Sequence, residues 1–206
     1  TAVNRMTELG IRGVEFISVN TDAQALHNNQ ADKKVHIGKS ITKGLGSGMN
    51  PELGRQAAEE SQEEIEEVIS NADMVFITCG LGGGTGTGAA PIVAELAKNR
   101  DILTIAVVTK PFTFEGSKRK EIAEAGYENL KDKVDAIISI QNDRILQIID
   151  KKTSLIEAFT TVDEVLRQGI AGISDLITTH GVVNADFADI RTIMQDAGTA
   201  MMGIGQ

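Results

Sequence analysis

The nine residues Gly80–Leu81–Gly82–Gly83–Gly84–Thr85–Gly86–Thr87–Gly88 constrain this chain more than any other stretch. They follow the apolar run Met74–Cys79 and open a helical segment that contains Pro91. Each glycine ordered on folding costs backbone entropy, so six in nine residues require a reason. A strand, a glycine loop and a helix N-terminus in succession form an anion cradle. The glycines let the backbone approach closely, and successive amides and the helix dipole then face the negative charge. Thr85 and Thr87 add hydroxyl donors. A tight turn with no ligand is the simpler reading of one or two glycines, and six exceed it.

Two common phosphate loops fit poorly. A Walker loop ends in Gly-Lys followed by Ser or Thr, and no lysine occurs between Lys43 and Lys98. A dinucleotide fold places an acid at the end of the next strand, about 20 positions on. Here that strand ends Val107–Val108–Thr109–Lys110, without an acid.

Around the loop, short apolar runs alternate with longer amphipathic segments. Val14–Val19, Met74–Cys79, Ile102–Val108 and Ala136–Ile140 read as strands buried on both faces, and Lys34–Ile37 as a weaker edge strand. Helices are predicted over Pro51–Asn71, Gly88–Arg100, Ser117–Lys133 and, briefly, Asp143–Ile149. In the first of these Ala57, Ala58, Ile65, Val68 and Ile69 form the apolar side. The run Glu59, Glu60, Glu63, Glu64, Glu66 and Glu67 reads as a solvated face. The longest helix is predicted over 154–179, where Leu155, Phe159, Val162, Leu166, Ile170, Ile173 and Ile177 recur every three or four residues. Ile156, Val165 and Leu176 widen its stripe, so burial on more than one side is expected. A last helix covers Phe187–Gln195. Alternating strands and helices predict a single α/β domain. It is Rossmann-like and three-layered, with a mostly parallel sheet, helices on both faces and ligands beyond the carboxyl ends of the strands.

Composition narrows the partners. The net charge is −9, which argues against wrapping nucleic acid, since that needs a positive surface. The single cysteine, Cys79, excludes an intrachain disulfide and reads as a buried structural thiol. No run approaches the roughly 20 apolar residues that span a bilayer, and no leader is evident, so a soluble cytoplasmic chain without membrane insertion is expected.

The motif GGGTGTG at Gly82–Gly88 resembles the signature of the tubulin and FtsZ family of GTPases, and the likeness to the FtsZ branch extends over nearly the whole chain. Asn20–Leu26 is similar to the family's second nucleotide loop. Gly44–Gly48 with Asn50-Pro51-Glu52 is similar to the third, which senses the γ-phosphate. Phe114-Glu115-Gly116, Gln141-Asn142-Asp143-Arg144 and Val183–Asp189 also match.

The resemblance implies GTP and GDP as ligands, with Mg²⁺. Asn20, Thr21, Asp22, Gly48, Gly80, Gly82, Gly83, Gly84, Thr85, Gly86 and Thr87 are implied at the phosphates, and Glu115 and Arg119 near the ribose and phosphates. Asn142, Phe159 and Asp163 are implied at the base. There Phe159 offers a stacking face, and Asp163 can accept from guanine N1–H and the 2-amino group together, a donor pair adenine lacks. Spacing alone makes Phe159 a core residue, Asp163 a solvated one, and Glu115–Arg119 an ordinary surface pair. Asn184, Asp186 and Asp189 read by themselves as an N-cap and first-turn acids. The resemblance makes them catalytic, inserted from one subunit into the nucleotide site of the next in a head-to-tail filament. The implied role is that of the bacterial division ring at midcell, with division accessory proteins as partners.

The resemblance also implies a strand and a first glycine loop ahead of the helix near Ala2, and a second domain after Met201–Gln206 that carries the partner-binding tail. The expectation is therefore of a GTP-binding domain over 1–206, truncated at its N-terminus, with an open slot at the centre of its sheet and reduced activity alone. Three other readings stay open: a tubulin-like GTPase of plasmid segregation or cell shape, a dinucleotide-dependent oxidoreductase, and a nucleotide-stabilised structural module. The second lacks its acid, and His27, His36 and His180 match no catalytic pattern.

Overall fold

The computed structural model describes residues 2–11, 13–147, 149, 153–178 and 187–200. Among them the chain runs α1 (Ala2–Leu9), β1 (Ile17–Asn20), α2 (Ala23–His27), β2 (Lys33–His36), α3 (Lys39–Thr42), α4 (Pro51–Glu60), α5 (Gln62–Ile69) and β3 (Met74–Gly80). It continues through α6 (Thr85–Asn99), β4 (Leu103–Lys110), α7 (Ser117–Lys131), β5 (Ala136–Gln141), α8 (Asn142–Ile145), α9 (Leu155–Thr178), α10 (Phe187–Met194) and β6 (Gly198–Ala200).

Among the described residues all strand-to-strand pairings are parallel, with one antiparallel bridge between Asp22 and Leu45, and helices cover both faces, as the alternation predicts. The strand β4 shows why its sequence carries apolar residues on both faces. Leu103, Ile105 and Val107 face α1 and α9 in one core, with Met6, Val162, Leu166 and Ile170. Ala106 and Val108 face α6 and α7 in a second core, with Ala90, Ala94, Ala123 and Leu130. A third core joins β2, α4, α5 and α6 through Val35, Ile37, Ala57, Ile65 and Leu96. No helix among the described residues is long and apolar enough to cross a membrane.

The strands form two sheets, β1-β2 and β3-β4-β5-β6, parted where an open slot at the centre of the sheet is expected. The facing edges of β1 and β3 bound a channel of about 920 Å³, lined by Ile17, Val19, Val75, Ile77 and Ile170 among others. Three details differ from the sequence reading. The predicted helix 51–71 breaks at Ser61, whose hydroxyl accepts from the Gly38 amide at 3.2 Å where the crossing chain presses on Ala57. The first turn of α9 stands in solvent, with Leu155 60% and Ile156 80% exposed, because no described element covers it. The short strand β6 carries no apolar run (Gly-Thr-Ala) and is held by its pairing with Ala136–Ile138.

The glutamate face is a solvated one: Lys39 pairs with Glu64 at 3.0 Å and Arg100 with Glu66 at 2.6 Å, all four at the surface.

Candidate functional site

The glycine loop lies at the carboxyl end of β3, where Leu81 donates to Thr109 of β4 at 2.9 Å. No side chain caps α6, and Gly88 is its first residue to donate to a helical carbonyl, that of Gly84 at 3.0 Å. The amides of Thr85, Gly86 and Thr87 are therefore open donors at the positive end of a 15-residue helix.

Most of the glycines are explained by packing. A Cβ on Gly84 would sit 2.6 Å from the Gly48 carbonyl oxygen, one on Gly88 2.0 Å from that of Pro51, and one on Gly86 2.9 Å from Cys79 Cβ. Gly82 adopts φ +99°, and a Cβ there would meet the Arg119 carbonyl oxygen at 2.7 Å. Of the loop's glycines only Gly83 would carry a Cβ with nothing within 4 Å, and Gly80 has only ordinary contact. The loop is thus a rigid cradle clamped between α4, Arg119 and the segment Ser47–Asn50. Thr87 serves this clamp as well, being buried and accepting from the Gly82 amide at 3.0 Å.

Other expected residues converge on the same edge. Thr21, at the end of β1, is fully buried and shares a hydrogen bond with Thr85, Oγ1 to Oγ1 at 2.6 Å. Asn20 accepts from the Asp22 amide, and Asp22 caps α2 through the Ala25 amide at 2.8 Å. Gly48, at φ +58°, accepts from the Gly84 amide at 2.8 Å. The Ser47 hydroxyl lies 2.8 Å from that of Thr85, a contact the sequence reading missed because serine in a glycine-rich loop carries no signal of its own.

The other half of the edge is organised by a 3-10 turn at Thr113–Glu115. Glu115 is anchored by the Phe112 amide at 2.9 Å and pairs with Arg119 at 3.1 Å, which ties it to the wall behind Gly82. Asp143 accepts from the Thr113 hydroxyl at 2.6 Å and amide at 2.9 Å, bonds that hold its carboxyl below the ordinary range and place Asn142 beside the turn. Phe159 packs edge-on against Phe112 at 5.1 Å, and Phe112 stacks on Phe114 at 4.9 Å. Phe159 remains 43% exposed, which corrects the core assignment its spacing suggests and leaves a ring face open. Asp163, four residues further along α9, is half-buried. Burial raises its pKa, and Arg5 opposes the rise.

Two buried polar atoms in this half find no partner: Asn142 Oδ1 and Arg119 Nε. Arg5 Nε and His36 Nε2 are likewise without a hydrogen-bond partner; such groups are rare, and a ligand or water can supply one. An N–H donor would satisfy Asn142 Oδ1 and a hydroxyl or phosphate oxygen Arg119 Nε, so the site fits a nucleotide. Among the described residues no group of three or more His, Cys, Asp or Glu could hold a metal. Mg²⁺ here would be carried chiefly by phosphates and water.

Of the acidic constellation, Asn184 and Asp186 lie outside the described residues. Asp189 is in the first turn of α10. Arg191, within a turn of it, donates to the Asp101 carbonyl at 2.8 Å and pairs with its carboxylate at 2.6 Å. Asp101 precedes β4, whereas the glycine loop lies beside its far end. Six residues of strand, about 20 Å, separate the two.

The site is an uncapped helix head behind a glycine clamp in a parallel α/β domain, an arrangement whose amides suit an anion such as a phosphate. The chain belongs to the Tubulin/FtsZ family: that family's GTPase domain matches residues 2–150. An empty FtsZ dimer from M. jannaschii is similar over 96% of this chain, with 47% identity and a TM-score of 0.92. The W319Y mutant of M. jannaschii FtsZ is similar over 97%, with 48% identity and a TM-score of 0.93. The chain spans 57% and 60% of those two chains, less than two thirds of either. A GTPγS-bound protofilament of CetZ2 from Haloferax volcanii matches 97% of this chain and 59% of its own, at 24% identity and a TM-score of 0.80, a likeness of fold alone.

Proposed function

We propose that the protein binds guanine nucleotide at the glycine loop and hydrolyses GTP at a site completed by a second copy stacked head to tail. In this reading the phosphates rest on the amides of Thr85, Gly86 and Thr87, with Mg²⁺ offsetting their charge. The ribose lies by Glu115 and Arg119. The base meets Phe159, Asn142 and Asp163. Asn184, Asp186 and Asp189 of the neighbouring copy position the attacking water, a role suited to phosphoryl transfer, which needs placement and charge control more than covalent help.

The observation that carries this reading is the anchoring of α10 through Arg191 at Asp101, the length of β4 away from the glycine loop. Groups at opposite ends of one domain meet when identical copies stack end to end, and such stacking without closure gives a filament. The M. jannaschii FtsZ relative described as a dimer agrees with self-association. A cytoplasmic filament of the division ring follows as the cellular role.

Turnover of GTP against protein concentration tests the shared site. The per-subunit rate should rise with concentration and then level, and Asp189→Ala should lose turnover while keeping nucleotide affinity. A rate independent of concentration contradicts the proposal.

A further inference from the structure

Three hydroxyls from three loops meet at one atom. Thr85 Oγ1 lies 2.6 Å from Thr21 Oγ1 and 2.8 Å from Ser47 Oγ. Both flanking residues are buried, Thr21 at 0% and Ser47 at 5% exposure, and neither hydroxyl has another partner among the described residues. Their backbones are fixed as well. The Thr21 carbonyl accepts from the Thr42 hydroxyl at 3.1 Å and the Gly46 amide at 3.3 Å. The Gly48 carbonyl next to Ser47 accepts from Gly84 at 2.8 Å.

A hydroxyl has one hydrogen and two lone pairs. If Thr85 donates to either neighbour, it has nothing left to offer a ligand. If both neighbours donate to Thr85, its lone pairs are filled and its hydrogen points away from them, at the open head of α6. All three hydrogens then have an acceptor once an anion is present. Each donation also polarises the next bond, so the outward one is strengthened.

We infer that Thr21 and Ser47 are positioning residues that turn Thr85 into a fixed outward donor to the nucleotide's phosphate. The inference rests on the proposed binding of guanine nucleotide at the glycine loop. Ser47 and Thr21 touch no ligand in this arrangement; they act through the rotor of Thr85. The segment Ser47–Asn50 is thereby coupled to phosphate occupancy through a hydroxyl as well as through the Gly84–Gly48 backbone bond.

The test is calorimetric titration with GDP and with guanosine of the wild type, Ser47→Ala, Thr21→Val, Thr85→Val, Thr85→Ser and the double variant Ser47→Ala/Thr85→Val. Ser47→Ala should weaken GDP about three- to tenfold, the worth of one hydrogen bond, and leave guanosine unchanged. Thr21→Val, which keeps the buried volume, should give the same pattern from the other flank. Thr85→Ser, which keeps the hydroxyl, should bind GDP more tightly than Thr85→Val. On the Thr85→Val background Ser47→Ala should add nothing, since the atom through which it acts is gone. An equal loss from Ser47→Ala on both backgrounds, or a parallel loss of guanosine, overturns the inference. A wild type that binds GDP and a silent Ser47→Ala overturn it alone. A wild type that binds no GDP removes the underlying reading and the inference with it.

Discussion

Gly54 of α4 and Gly84 of the glycine loop meet backbone to backbone: a Cβ on Gly54 would lie 2.2 Å from the Gly84 carbonyl oxygen. The helix that follows the segment Ser47–Asn50 is thus pressed onto the glycine loop with no side chain between them. Alanine at 54 should gain about 1 kcal/mol of helix propensity and lose more to the clash, because the obstacle is backbone. Gly54→Ala is expected to lower stability by about 2 kcal/mol. Gly172→Ala, in α9 with nothing within 4 Å, should raise it by about 0.5–1 kcal/mol. Thermal melts of the two variants check the pair.

Asp163 places binding and stability in opposition. Burial raises its pKa, so above the ordinary carboxylate range the folded state holds a charge that the unfolded chain carries more easily. Asp163→Asn should therefore stabilise the protein at neutral pH. The gain should vanish as the pH falls below the ordinary aspartate value, where both states are protonated. The same substitution should lose guanine affinity, since the acceptor pair becomes an acceptor and a donor. Melts from pH 3 to 8 and a GDP titration read the two effects.

These predictions rest on features of differing legibility. β3 to β5 and α9 were legible because strands buried on both faces and a long amphipathic helix leave strong periodic signals, as at Leu103–Val108 and Val162–Ile170. The glycine loop was legible as a strand-to-helix turn, but the count of its glycines reads as a ligand's demand, whereas Gly84, Gly86 and Gly88 mainly admit neighbouring backbone and side chain. β6 was not legible: Gly198–Ala200 pairs because α10 delivers it beside β5, a tertiary cause. Nor was the Ser61 break, which comes from a contact with Gly38, distant in sequence. Phe159 was misjudged by spacing, because periodicity reports which face a residue occupies and not whether anything covers that face.

Within α9, Arg167 grips Glu164 with two bonds, Nε to Oε2 at 3.0 Å and Nη2 to Oε1 at 2.6 Å. These bonds hold the Glu164 carboxyl down at about 2, against an ordinary 4.5. A depressed carboxylate contributes stability that is complete above its unfolded value and is lost as the pH falls toward its folded one. Glu164→Gln should cost about 1 kcal/mol at pH 7. The difference from wild type should close between about pH 4.5 and 2, as measured by urea melts at each pH.

Cys79 lies on β3 beside the channel, and burial pushes its thiol up to about 12. The side chain itself is only part-buried, which corrects the fully buried thiol its sequence context suggests, but at pH 8 the thiol is far less ionised than that of an ordinary cysteine. Reaction with a disulfide reagent should be more than about a hundredfold slower in the native protein than in denaturant. Equal rates would show that β3 does not enclose the thiol.

The central claim is that the edge built from the glycine loop, Asn142, Phe159 and Asp163 is a guanine nucleotide site. An equilibrium titration with fluorescent GTP, competed separately by GDP, ATP and NAD, tests it most directly. Displacement by GDP and not by ATP or NAD is the predicted result. Displacement by ATP or NAD, or failure of GDP to compete, would contradict it.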